Sequence, residues 1–189
     1  MNILIIGDSH AKARTPDGKD TDLIAETLEV PANLRLAVSG SMARHWRENR
    51  EGWLDKAKAL AVDPSTEAAF ISLGGNDLFR DYADGIITAE EARSILDDIK
   101  EVLASFTPVI PIYLLIYGDP YCGRDIRAVL AVIGIDMALT SLAKQLKNVY
   151  VIRESQILSS EDWCGTAIHP NASGYIKIAE AIRKEHNRE

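Results

Sequence analysis

Serine and histidine together can open a carbonyl, because a hydroxyl becomes an effective nucleophile once an imidazole takes its proton. Ser9 follows Gly7-Asp8 at the end of the aliphatic run Ile3-Leu4-Ile5-Ile6, and His169 stands before Pro170-Asn171 near the other end of the chain. Between them lie two glycine-bearing breaks, Ser39-Gly40-Ser41 and Gly74-Gly75-Asn76-Asp77. Acyl transfer needs a nucleophile, a base and donors for the tetrahedral oxyanion. Ser9 can be the nucleophile and His169 the base. The backbone N–H groups of Ser9 and Gly40 and the side-chain amide of Asn76 can be the donors. On the first segment alone, a plainer reading stays open, in which Asp8 or Ser9 only caps a turn.

These residues need elements that bring them together. Ile3–Ile6 has the composition of a strand buried on both faces of a parallel sheet, and Gly7 ends it abruptly. Further strands are expected at 34–38, 68–73, 109–116 and 149–152, five in all. Pro111 is awkward inside the fourth and suggests an edge-proximal position or a bulge. Helices are expected at 22–28, 42–60, 88–106, 126–146 and after Asn171. The clearest is 88–106, where Thr88-Ala-Glu-Glu91 forms a capping box ahead of a helical apolar stripe. Alternating strands and helices call for a parallel sheet covered on both sides. The breaks at Ser9, Gly40 and Asn76 then share one sheet edge, and the loop carrying His169 lands there too. Ligands bind at that edge in open α/β sheets.

Composition narrows the classes. The 189 residues suit one domain over 1–189, with 47% hydrophobic and 26% charged residues, ordinary for a globular protein. A net charge of −7 without a Lys/Arg cluster speaks against nucleic-acid binding. No apolar run reaches membrane-spanning length, and Met1 leads straight into the first strand without a signal-like segment, so a cytoplasmic protein is expected. P-loop, dinucleotide-fingerprint, H-E-x-x-H and G-x-S-x-G motifs are all absent.

Gly7-Asp8-Ser9, Gly40, Gly74-Gly75-Asn76-Asp77 and His169-Pro170-Asn171, in that order, resemble the blocks of the SGNH hydrolases, the GDSL esterases and lipases. The resemblance spans nearly the whole chain. It implies a flavodoxin-like three-layer α/β/α sandwich and ester or thioester hydrolysis through an acyl-serine intermediate. It also implies no metal or organic cofactor. The implied substrates are small-molecule or carbohydrate esters. Short insertions between blocks leave no obvious lid or long-chain channel, so short acyl groups are expected, acetyl on a carbohydrate among them. Alternatives are an acyl thioesterase or lysophospholipase, and a non-catalytic binding protein on the same fold.

The chain departs from the family pattern twice. His10 stands where the family usually has Leu; an imidazole there could contact the substrate, but the residue is expected at the surface. Thr166 stands three residues before His169, where the family has the Asp that orients the imidazole. A Ser-His dyad, with Nδ1–H donating to a carbonyl or to Thr166, is one reading; Asp162 or Glu161 reaching in from the same loop is another; impaired catalysis is a third. Cys122 and Cys164 are either spare thiols or a bridge clamping the histidine loop. Asn171 is expected to cap the last helix, and His45 and His186 to be solvated.

Overall fold

The computed structural model describes residues 1–77, 88–118, 126–163 and 169–188, with 126–131 described by backbone alone. Four strands form one parallel sheet in the order β1 (Ile3–Gly7), β2 (Ala68–Ser72), β3 (Ile112–Ile116), β4 (Val149–Arg153). Ile5 pairs with Phe70, Phe70 with Tyr113 and Tyr113 with Tyr150, which sets the register across the sheet. Every residue of β1, β2 and β3 is buried, as expected for strands covered on both faces.

The expected strand at 34–38 is corrected to an extended edge segment. Ala32–Leu34 form a 3₁₀ turn, which removes Leu34 from any ladder. The Arg35 guanidinium then folds back onto the Val30 carbonyl, leaving two backbone bonds to β1: Leu36 N–H to Ile5 O at 2.9 Å and Val38 N–H to Gly7 O at 2.8 Å. The sheet thus has four strands, yet this segment lies where a fifth would. Counting it, the chain runs outward from β1 on one side and then on the other, which is the flavodoxin-like order.

The helices divide between the two faces. On one, α1 (Leu23–Thr27) packs against the C-terminal helix (Ala172–His186). On the other lie α2 (Ala43–Arg47), α3 (Trp53–Ala61) and α4 (Ala89–Ala104), with α2 against α4. The long α5 (Ile126–Gln145) precedes β4, a one-turn α6 (Glu154–Ile157) follows it, and the C-terminal helix is α7.

The single helix expected over 42–60 is broken. Asn49, Glu51 and Gly52 adopt left-handed φ values of 53°, 52° and 74°, which no helix continues through. Trp46 and Trp53 still meet across the break, with ring centroids 5.5 Å apart. At 88–106 the expectation holds: Thr88 Oγ1 accepts from Glu91 N–H at 3.2 Å, and the Glu91 carboxylate accepts from Thr88 N–H at 2.7 Å. The fourth expected strand begins at Ile112 rather than Val109. Pro111 has no N–H and stands just before the ladder, where its carbonyl accepts from Ala69 N–H at 2.9 Å. Among the described residues no helix is long and apolar enough to cross a membrane.

Candidate active site

β1 delivers Ser9 through a turn that only glycine allows. Gly7 has φ +130°, and a Cβ there would overlap the Ser72 backbone of β2. The chain then coils tightly: Lys12 N–H donates to Asp8 O at 3.1 Å, Ala13 N–H to His10 O at 3.0 Å, and Arg14 N–H to Ser9 O at 2.8 Å. This coil holds Ser9 at the sheet edge, next to the switch point between β1 and β2.

Asp8 is buried beneath it. Its Oδ1 accepts from His10 N–H at 3.0 Å and from the Ser72 hydroxyl at 2.8 Å; its Oδ2 accepts from the Tyr117 hydroxyl at 2.6 Å. Burial pushes the Asp8 carboxyl up despite these donors, and burial beside Asp8 holds the Tyr117 hydroxyl well above its ordinary value. Gly75 packs onto this pair, since a Cβ there would stand 2.9 Å from the Tyr117 ring. The network therefore ties the carboxyl ends of β1, β2 and β3 into one floor.

His169 Nε2 lies 2.8 Å from Ser9 Oγ, the nucleophile–base distance acyl transfer requires. Burial lowers the imidazole to about 4; His10 and Arg14 push the same way, and Asp8 and Asp20 oppose them. Gly40 has φ +78°, and apart from its chain neighbours no atom of the described residues lies within 4 Å of the place a Cβ would take, on a residue that lines the pocket. Asn76 Nδ2 donates one bond to the Ser41 carbonyl at 2.9 Å, fixing the amide against the Gly40 loop. Ser41 Oγ in turn donates to Gly7 O at 3.0 Å and accepts from Trp46 Nε1 at 3.0 Å. Ser9, Arg14, Ser39, Gly40, Asn76 and His169 line a pocket of about 280 Å³. The residues singled out from sequence as nucleophile, base and oxyanion donors thus meet in one place.

Asp162 has its carboxylate taken up by other partners. It is buried, and its carboxylate accepts from Ser159 N–H and Oγ at 2.8 and 2.9 Å, from Ser173 Oγ at 3.1 Å and from Lys177 Nζ at 2.6 Å. Burial raises this carboxyl, but Lys177 and the serines outweigh it and leave it at about 2. Among the described residues no hydrogen bond joins Asp162 to His169. Glu161 contributes its carbonyl, which accepts from Asn171 Nδ2 at 2.7 Å. Asn171 caps α7 as expected, through Oδ1 to Gly174 N–H at 3.1 Å. Thr166, Cys122 and Cys164 lie outside the described residues.

His10 is the clearest correction. Expected at the surface, it is 3% exposed. Its ring stands 5.0 Å from that of His169 and 4.9 Å, edge-on, from that of Tyr117. Its Nε2 is 3.7 Å from Glu154 Oε1, and that wholly buried carboxyl accepts from Gly118 N–H at 2.7 Å. Burial raises Glu154 to about 8. The tight coil after Ser9 turns residue 10 inward, which a residue-type expectation for histidine cannot anticipate. His186 is also half-buried, its Nδ1 3.0 Å from the Tyr113 hydroxyl. Sequence reasoning passed over Tyr117 and Glu154. The signal was available, since each directly follows a parallel strand and so falls at the same edge as Ser9.

A parallel sheet covered by helices, with polar residues gathered at its carboxyl edge, is the arrangement of an α/β enzyme. Residues 5–176 match the family model described as the GDSL-like Lipase/Acylhydrolase family. The chain belongs to that family and is a carboxylic ester hydrolase. Its fold is similar to that of an acetylxylan esterase from Geobacillus stearothermophilus, with TM-score 0.70, 15% identity, and 97% of this chain and 93% of that one covered. A protein described as a putative platelet activating factor from Streptococcus pneumonia aligns with TM-score 0.68, 16% identity, and 98% and 83% of the two chains covered. A member of the lipolytic G-D-S-L family from Veillonella parvula aligns with TM-score 0.67, 18% identity and 97% of each chain covered. No curated protein gives a significant sequence match.

Proposed function

We propose that this chain is a serine esterase acting on short-acyl esters, with Ser9 as nucleophile and His169 as general base. The observation that carries this reading is the 2.8 Å contact between Ser9 Oγ and His169 Nε2 at the wall of a polar pocket. As Ser9 Oγ bonds to the ester carbonyl carbon, its proton passes to Nε2, and the carbonyl π electrons move onto oxygen. The backbone N–H groups of Ser9 and Gly40 and the second N–H of the Asn76 amide receive that oxyanion. Collapse of the tetrahedral intermediate breaks the bond to the alkoxy oxygen, which takes the proton from Nε2 and leaves as the alcohol. Water, deprotonated by His169, then releases the acid and restores Ser9.

Ser9, Arg14, Ser39, Asn76 and His169 offer polar groups around a space of about 280 Å³. In this reading the small volume suits a short acyl group such as acetyl, and the polar groups suit an alcohol that carries hydroxyls. Carbohydrate acetates fit both, in keeping with the acetylxylan esterase whose fold this chain shares. His169 works as a dyad with Ser9 in this reading, because the carboxylate of Asp162 is occupied by Lys177 and the serines.

A fluorophosphonate probe should label Ser9 and neither Ser9→Ala nor the heat-unfolded chain. With p-nitrophenyl esters, kcat/KM should fall as the acyl chain lengthens beyond a few carbons. Ser9→Ala should lower kcat on p-nitrophenyl acetate on the order of 10³-fold or more. Absence of labelling at Ser9 in the folded protein overturns the assignment.

A further inference from the structure

The loop between Ser9 and α1 presents a built polar rim that the acyl-transfer chemistry does not use. Arg14 Nη1 donates to Asp20 Oδ1 at 2.9 Å, and Ser39 Oγ donates to the same oxygen at 2.7 Å. The three side chains therefore join the loop after Ser9 to the loop that carries Gly40. Arg14 and Ser39 line the pocket beside Ser9 and His169.

The rim is held rigid by bonds that are not its own. Tyr175 of α7 donates to Arg14 O at 2.8 Å, and Thr15 N–H donates to Lys19 O at 2.8 Å. Thr21 Oγ1 donates to Ala13 O at 2.7 Å, and Asp22 N–H to Lys12 O at 3.0 Å. Fold stability does not explain the pair, because its side chains are 37% and 33% exposed and ion pairs so placed contribute little. What it does supply is a fixed set of charged donors and acceptors at the pocket mouth. Asp20 Oδ1 is shared by two donors, while Oδ2 makes no hydrogen bond with the described residues.

Arg14 and Ser39 share the pocket wall with His169, and Asp20 holds both through Oδ1. In the mechanism proposed above, His169 hands its proton to the departing alcohol, while Gly40 and Asn76 take the carbonyl oxygen. Paired guanidinium and carboxylate groups offer a hydroxyl both a donor and an acceptor, with charge-assisted strength and fixed direction.

Resting on the serine-esterase reading above, we propose that Arg14, Asp20 and Ser39 form the alcohol-side subsite. The natural substrate then carries a free hydroxyl next to the ester, as in a partly acylated sugar or polyol. Arg14 donates to that hydroxyl and Asp20 Oδ2 accepts from it. Binding there places the alkoxy oxygen beside His169 Nε2.

Three acetates separate the possibilities: a monoacetylated methyl xyloside, cyclohexyl acetate as its counterpart without hydroxyls, and p-nitrophenyl acetate. The xyloside should exceed cyclohexyl acetate at least tenfold in kcat/KM. Arg14→Ala and Asp20→Asn should each cut that ratio at least fivefold, chiefly by raising KM for the xyloside, and Ser39→Ala should act in the same direction. Thermal unfolding of each variant confirms that it is folded. Absence of a preference in the wild type, or a preference unchanged in both variants, overturns the subsite. So does a preference for a succinyl half-ester that Arg14→Ala removes, which would mark an anion site instead. If Ser9 takes the fluorophosphonate and p-nitrophenyl acetate is hydrolysed, a missing preference counts against the subsite alone. If Ser9 is not labelled, the esterase reading fails and the subsite with it.

Discussion

His169 and Asp162 show how little a residue's type says about its job. Both are polar residues on the loop between β4 and α7, and burial acts on both, with opposite results. The imidazole, without enough compensating charge, is pushed down to about 4; the carboxyl, surrounded by Lys177 and serines, is held at about 2. A base must be neutral to accept a proton, and a lowered histidine stays neutral until the pH falls to its own value. The acid limb of kcat/KM for p-nitrophenyl acetate should therefore lie near pH 4. A group titrating at about 4 is roughly 90% neutral at pH 5, whereas one at the ordinary 6.5 is only about 3% neutral. Acetate release followed between pH 3.5 and 8 checks this, and a limb near 6.5 would show that His169 is not so perturbed. The same shift makes the imidazolium costly to form, so modest turnover is expected of a base that is always available but weak.

At the scale of elements, the described residues between α6 and α7 hold His169 with no strand among them. Asp162 does much of this by tying Ser159, Ser173 and Lys177 together. Asp162→Asn should destabilise the fold by about 1–3 kcal/mol, the usual cost of weakening charged hydrogen bonds to a buried group. It should also slow fluorophosphonate labelling of Ser9. Because the folded carboxyl titrates below its unfolded value, its contribution is present above about pH 4 and disappears as the pH falls through about 2. Denaturant melts of wild type and variant should thus converge in strong acid. Gly174 tests the same packing from the other side. Alanine in place of glycine ordinarily favours a helix by about 1 kcal/mol. Here the added Cβ would stand 2.7 Å from Pro170 Cβ and 3.1 Å from Asp162 O. Gly174→Ala should accordingly lower the melting temperature, and an increase would mean that the Pro170 turn yields easily.

Across the whole molecule, the buried carboxyls behind the site set the pH dependence of stability. Glu154 at about 8 and Asp77 at about 6 are both raised, with burial as the leading cause, so folding favours their protonated forms. Their contribution is complete below about pH 4 and is lost as the pH climbs through their folded values. His169 has the opposite sign, its contribution fading as the pH drops from 6.5 towards 4. The melting temperature should therefore decline from pH 6 to 9. Glu154→Gln, which keeps an acceptor for Gly118 N–H, should flatten that decline and exceed the wild type by a few degrees at pH 9, at about 2–4 °C per kcal/mol for a chain of this size. Parallel curves for the two proteins would remove Glu154 from the account. Much of the architecture was legible beforehand, because it rests on local patterns. Unbroken aliphatic runs specify doubly covered strands, the Thr88–Glu91 box starts its helix, and parallel strands must bring Ser9, Gly40 and Asn76 to one edge. Other features depend on atoms distant in sequence. The segment at 34–38 makes two bonds to β1 rather than a ladder, left-handed residues break the helix after Trp46, and the coil after Ser9 buries His10 against His169, Tyr117 and Glu154. Residue types and local patterns suffice to nominate the candidate residues and the sheet edge they reach. Their environment comes from the folded chain, since burial, ring contact and the sharing of a carboxylate by Lys177 and two serines are properties of neighbours in space.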